Sequence, residues 1–123
     1  MLFNIVVVFT GGAMGAVSRY LISSNVNQRA QRRFPLGTFT VNLIGSIIIG
    51  IIAQRAQDLG TQVVLWADVG FVGAFTTFSS LAYETVILLE QGFYLEALQN
   101  PTLSVILGLC GVSLGFWLGS AAI

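Results

Sequence analysis

Four long apolar stretches run through this sequence, and they constrain its fold more than any other feature. They extend approximately over residues 2–24, 36–53, 63–89 and 102–122. Each reaches the ~18 to 25 residues that an α-helix needs to cross ~30 Å of hydrocarbon. Because a segment in lipid must satisfy its own backbone hydrogen bonds, we expect four transmembrane helices in an all-α membrane protein.

The composition supports a single membrane domain over residues 1–123. Only 8% of the residues are charged, whereas a soluble domain has roughly a quarter. The predicted connections, residues 25–35, 54–62 and 90–101, are too short to hold a soluble domain. The formal net charge is zero, so bulk electrostatics gives no reason to expect binding to nucleic acid.

Glycines spaced four residues apart predict how the helices meet. Gly111, Gly115 and Gly119 share a face of the fourth helix, and Gly11 and Gly15 share a face of the first. Small residues in this pattern let helix backbones approach closely. We therefore expect a tight bundle, with any permeation path between subunits rather than inside one.

The third stretch contains a run that disfavours a continuous helix. GFVGAFTTFSS (Gly70 to Ser80) combines two glycines with four hydroxyl residues, and these residue types weaken helices. One interpretation is a true break near the middle, whose carbonyl oxygens could coordinate a cation. The other is a glycine kink with the hydroxyls bonded back to the helix.

Polar side chains inside the apolar stretches are candidate functional residues. Asn42 in the second helix is either an interhelical hydrogen-bonding group or part of a polar pathway. Arg19 either extends to the interface or draws anions to a pore mouth. Glu84 lies deeper than Asp68 in the third helix, so it is the better candidate to contact a vestibule or a partner.

Three of these runs together resemble the CrcB (Fluc) family of fluoride channels. They are GGAMGAVSRY (Gly11 to Tyr20), GTFTVNLIGS (Gly37 to Ser46), and GFVGAFTTFSS followed by Glu84. The resemblance implies an antiparallel, dual-topology dimer with two pores along the subunit interface. It also implies a structural sodium ion at the dimer centre, held by main-chain carbonyls of the two breaks.

The resemblance further implies roles for individual residues. The carbonyls of Gly73 and Thr76 would hold the sodium ion, Asn42 would donate its amide to fluoride, and Phe78 would present its ring edge. The remaining matches are the polar track of Ser79 and Ser80, the helix-one arginine Arg19, and Glu84. Such donors suit a channel, because weak successive contacts permit exit as well as entry.

Two departures from the family pattern concern the pore. Leu81 occupies the place of a second phenylalanine, and leucine offers no ring edge to an anion. The helix-four tyrosine of many members has no counterpart, since Asn100 and Pro101 fall in that neighbourhood. These differences leave open whether two copies of this chain would form two complete pores.

Other functions explain the sequence less well. Small multidrug transporters have a similar size, but they depend on a carboxylate in helix one, and residues 2–20 contain no acidic residue. A non-transporting scaffold subunit would need the glycine faces but not Asn42 or the hydroxyl cluster. An enzyme is not expected, because the chain has no histidine and its few acids are scattered.

The function implied by the resemblance is passive export of fluoride across the cell inner (plasma) membrane. The distribution of arginines bears on orientation: Arg29, Arg32 and Arg33, with Arg19 near that end, lie on one side, and Arg55 lies on the other. The positive-inside rule then places the first connection in the cytoplasm. Either this chain pairs with a related subunit of opposite orientation, or so few charges leave a homodimer possible.

Overall fold

The chain forms four helical segments that are long and apolar enough to cross a membrane. The computed structural model describes residues 1–30 and 33–121, so Arg32 and the predicted end of the fourth helix at residue 122 lie outside the described residues. Within that part every element is helical. The first, second, third and fourth spans are Leu2–Ala30, Leu36–Leu59, Thr61–Glu90 and Tyr94–Ala121.

The first and second helices are longer than the sequence predicted. The first was expected to end near Ser24 and the second near Ala53, but they continue to Ala30 and Leu59. Hydropathy marks where a helix leaves the hydrocarbon, not where its backbone hydrogen bonds stop. In the extension of the first helix, the Asn25 side chain donates to the Leu21 carbonyl at 2.7 Å. Polar residues can therefore continue the helix beyond the membrane.

The third connection is much shorter than predicted. The third span ends at Glu90, and Gly92, with a φ of 80°, lets the chain reverse at once. Phe93 N–H donates to Leu88 O at 2.9 Å, which is the six-to-one bond that closes a glycine-terminated helix. Pro101 was expected outside the fourth helix, but it lies within it. Proline removes one backbone hydrogen bond and its ring crowds the carbonyl four residues earlier, so packing against neighbouring helices must compensate for both.

The predicted glycine faces are confirmed as packing surfaces. Gly111, Gly115 and Gly119 are buried against the second span, where a side chain at Gly115 would overlap the Ile47 carbonyl. Gly11 and Gly15 are buried against the third span. The second span thus packs on the fourth and the first on the third, with backbones in near contact.

The third span is interrupted near its middle, but over a shorter length than the run of glycines and hydroxyls indicated. It begins as α-helix Thr61–Val64, continues as π-helix Leu65–Val72 and α-helix Gly73–Phe75, and resumes as α-helix Phe78–Glu90. Only Thr76 and Thr77 are extended, whereas Gly73 is helical. The span as a whole is bent only slightly. The threonines, and not the glycines, form the interruption.

Candidate functional site

An open groove lies where the second span faces the interruption in the third. Its volume is about 240 Å³, and it is lined by Asn42, Ser46, Ile49, Thr76, Thr77, Phe78 and Leu81. Asn42, Ser46 and Ile49 recur at intervals of three and four residues, which places them on one face of their helix. The groove therefore has both polar and apolar walls, and it lies beside the middle of the third span.

Asn42 pairs with the backbone of the interruption in two directions. Thr77 N–H donates to Asn42 Oδ1 at 2.7 Å, and Asn42 Nδ2 donates to Thr77 O at 2.9 Å. The side chain thus replaces the helical partners that an extended Thr77 loses. A carboxamide has two N–H donors, so one donor is left over from this pairing. Asn42 is consequently both an interhelical link and a groove-lining amide.

The Thr77 side chain begins the helix that follows. Its hydroxyl accepts from Ser80 N–H at 3.2 Å, which is the bond of a helix N-cap. The hydroxyls of Ser79 and Ser80 each lie 3.2 Å from the same Thr77 oxygen. The two serines thus surround Thr77 in a hydroxyl cluster, and neither is among the residues that line the groove.

Phe78 and Leu81 lie on the first turn of that helix with opposite exposure. The Phe78 side chain is 81% exposed, whereas Leu81 is 7% exposed. Both line the groove. An aromatic ring with this exposure packs little against the rest of the described chain, so its edge is accessible from outside the bundle.

The interruption also leaves main-chain carbonyls without helical donors. In a continuous helix Thr77 N–H would donate to Gly73 O, but here it donates to Asn42. Thr76 O accepts no hydrogen bond from the described residues. Carbonyl oxygens freed in this way are the ligands that an unwound membrane helix offers to Na⁺. The residues that the resemblance assigned to sodium therefore fit such an ion chemically.

Glu84 and Arg19 lie outside the groove. Thr38 donates its hydroxyl to Glu84 Oε1 at 2.6 Å, and Glu84 Oε2 is buried with no partner among the described residues. Arg19 is half-buried on the first span. Of the predicted site residues, the groove brings together Asn42, Thr76, Phe78 and Leu81, and it does not include Gly73, Ser79, Ser80, Arg19 or Glu84.

Sequence reasoning missed the role of Thr77 and the presence of Ser46 and Ile49 in the groove. Thr77 directly precedes the helical run that begins at Phe78, and a threonine in that place is a helix-start signal that could have been used. Ser46 lies one turn after Asn42 and donates to its carbonyl at 2.8 Å. Ile49 carries no signal that distinguishes it from the other isoleucines nearby.

Comparison with known proteins gives consistent matches over nearly the whole length. Residues 6–116 match the family model described as "CrcB-like protein, Camphor Resistance (CrcB)". A protein of Bacteroides fragilis is 43% identical over 121 residues, covering 94% of this chain and 95% of the relative. One of Phocaeicola vulgatus is 35% identical, covering 94% and 97%. One of Geobacter sulfurreducens is 44% identical, covering 85% and 86%. All three relatives are called "Fluoride-specific ion channel FluC".

Proposed function

This chain belongs to the CrcB-like family, and we propose that it forms a fluoride-selective channel. The observation that carries the proposal is the groove, in which an amide and an exposed phenylalanine meet at a helix interruption between two spans. The names of the relatives, which describe ion conduction and not an enzymatic reaction, support the choice of fluoride.

The groove offers the interactions that a permeating anion needs. The second N–H of Asn42 and the electropositive edge of Phe78 are weak donors. Because neither is a fixed positive charge, an anion can leave as readily as it enters. Leu81 adds an apolar wall without a ring edge. Ser79 and Ser80 extend the polar surface beyond the groove, Glu84 with Thr38 continues it further, and Arg19 supplies a positive charge.

The channel is a dimer in this proposal. A groove that is open on one side, with Phe78 81% exposed beside it, requires a second wall. A second subunit in antiparallel orientation supplies that wall, and the two-fold axis generates two pores. The partner is either another copy of this chain or a related subunit.

A sodium ion holds the two interruptions together at the centre of that dimer. Each subunit contributes the carbonyls of Gly73 and Thr76, and the two-fold axis provides four oxygens in total. The freed carbonyls at the interruption support this assignment. The ion has a structural role and does not take part in permeation.

Export through this channel is passive. Fluoride enters a cell as its weak acid and accumulates as the anion, so a selective leak in the plasma membrane lowers the cytoplasmic concentration without an energy source. The four spans of this multi-pass protein are consistent with that location.

Fluoride efflux from liposomes tests the function. Purified wild-type protein should release fluoride rapidly and chloride hardly at all; equal release of the two anions would refute the proposal.

Phe78→Leu should slow fluoride efflux by about tenfold or more, the effect of one lost ~1.4 kcal/mol interaction on the permeation barrier. Tyr83→Leu, at an aromatic residue that is 68% exposed and lies outside the groove, is the matched control. Comparable slowing by both variants would remove Phe78 from the pathway.

A further inference from the structure

Gly45 lies against the interruption in the third span at a distance that excludes a side chain. A Cβ atom added to Gly45 would overlap the Cγ2 methyl of Thr76, while the Phe75 ring would stand 3.5 Å away. Gly45 is three residues after Asn42, so both lie on the face of the second span that meets the interruption. One face of one helix thus contacts Thr76 through Gly45 and Thr77 through Asn42.

The Thr76 methyl cannot easily move out of this contact. Thr76 N–H and the Thr76 hydroxyl both donate to Val72 O at 3.0 Å. Rotating the side chain away from Gly45 would break the hydroxyl bond, and a β-branched side chain has few alternative rotamers. Crowding at Gly45 would therefore be relieved by moving the backbone of Thr76, together with the carbonyl that it carries.

From these contacts we infer that Gly45 is a positioning residue, whose missing side chain sets the place of Thr76 and so the direction of its free carbonyl oxygen. Asn42 fixes the second extended residue by hydrogen bonds, and Gly45 fixes the first by close packing. The inference rests on the proposed function, because it assigns the Thr76 carbonyl to the sodium ion of that channel.

A pair of substitutions that adds a methyl group at Gly45 and removes one from Thr76 tests this inference. Gly45→Ala adds the methyl group that overlaps Thr76, and Thr76→Ser removes only the methyl that it would strike, leaving the hydroxyl and the carbonyl in place. We expect Gly45→Ala to slow fluoride efflux by about tenfold or more, the usual scale for overpacking. It should also raise the sodium concentration that gives half-maximal efflux. The double variant should return both values to within about threefold of those of Thr76→Ser alone.

Gly50→Ala is the matched control on the same helix. Its added methyl would overlap the Val112 carbonyl, on the face of the second span that packs against the fourth span and not against the interruption. It should lower the yield of folded protein, leave the sodium dependence of the remaining channels unchanged, and gain nothing from Thr76→Ser. If Gly45→Ala does not fold, the comparison is made on folded yield, which Thr76→Ser should restore for Gly45→Ala and not for Gly50→Ala.

The outcomes separate this inference from the function on which it rests. A wild-type protein that releases no fluoride refutes the channel itself. The inference is refuted, and the channel is not, by either of two results. One is a Gly45→Ala variant whose efflux has the sodium dependence of the wild type. The other is a double variant whose efflux is as slow as that of Gly45→Ala. If fluoride efflux from the wild type does not depend on sodium concentration, the proposed sodium site is refuted, and so is the proposed effect of Gly45 on the Thr76 carbonyl.

Discussion

At the scale of single residues, Asn42 has a structural role in the fold, and in the proposed channel the same side chain also contacts the anion. Its oxygen and one N–H hold the extended Thr77 backbone, and its position in the groove makes the other N–H available to an ion. A leucine at this position would remove both contributions at once. A substitution that keeps the shape of the side chain and replaces only its N–H donors tests the hydrogen bonding without changing the packing.

Asn42→Asp is such a substitution. An ionised carboxylate would place an oxygen 2.9 Å from Thr77 O, where the wild type has a donor. The variant therefore either replaces a hydrogen bond by a repulsion or expends free energy on protonating the carboxylate. We expect the free energy of unfolding to fall by ~1 to 3 kcal/mol and fluoride efflux to be lost. Asn25→Asp removes a similar bond, to the Leu21 carbonyl, at an exposed position, and it should change neither value appreciably. Thermal unfolding in detergent and liposome efflux measure the two effects; full efflux from Asn42→Asp would contradict this account.

At the scale of helices, close backbone contact is what joins the second span to the fourth. Gly50 and Gly115 face each other, and an added Cβ at Gly115 would stand 3.1 Å from the Gly50 Cα. In lipid there is little hydrophobic gain from helix association, so packing at such contacts determines the stability of the bundle. Adding a side chain at one of these glycines should therefore lower the stability only where the backbone touches the neighbouring helix.

Gly115→Ala and Gly108→Ala compare two positions on the same helix. A side chain at Gly115 overlaps the Ile47 carbonyl, whereas one at Gly108 meets only the Ser46 hydroxyl at 3.5 Å, an ordinary contact. Gly115→Ala should lower the stability of the protein by ~1 to 3 kcal/mol, and Gly108→Ala should leave it almost unchanged. Unfolding in increasing denaturant measures both. Because alanine favours a helix more than glycine does, equal losses would show that the close contact at Gly115 is not what determines stability.

At the scale of the whole molecule, the two connections on one side of the membrane contact each other. The Arg33 guanidinium lies 4.3 Å from the centre of the Phe93 ring, which links the first connection to the third. On the other side, Arg55 Nε donates to the Gly119 carbonyl at 2.6 Å near the end of the fourth span. These contacts agree with a topology in which the arginines of the first connection lie opposite Arg55.

An exchange of charge between the two sides tests the orientation of the chain. The sequence has Arg19, Arg29, Arg32 and Arg33 toward one side and Arg55 toward the other, and we expect termini that are mostly outside the cytoplasm. Arg29→Gln combined with Gln57→Arg keeps the number of arginines and moves one across, so the bias should weaken. Arg29→Gln with Gln28→Arg, which moves the charge by one residue on the same side, should preserve it. Reporter fusions to the C-terminus measure the orientation, and equal populations in the wild type would favour a homodimer.

The sequence by itself determined the number of spans and the glycine faces, and it indicated an interruption within the run Gly70 to Ser80 of the third span. Each depends on local composition: apolar length sets membrane crossing, and hydroxyl residues beside glycine weaken a helix. Asn42 could be identified for the same reason, because an amide in hydrocarbon must have a partner. The ends of the helices could not, since a helix that has left the hydrocarbon continues or stops according to its hydrogen bonds and caps.

Only the tertiary structure decided which groups meet. That Asn42 bonds to Thr77, that Gly45 faces the Thr76 methyl and that Thr38 bonds to Glu84 all follow from how the second span is rotated against the third. Rotation and crossing depend on side-chain packing summed over the whole contact, and no local pattern encodes it. The same packing explains why the interruption lies at the threonines and not at the glycines, because Asn42 on the neighbouring helix supplies hydrogen-bond partners for the extended backbone of Thr77.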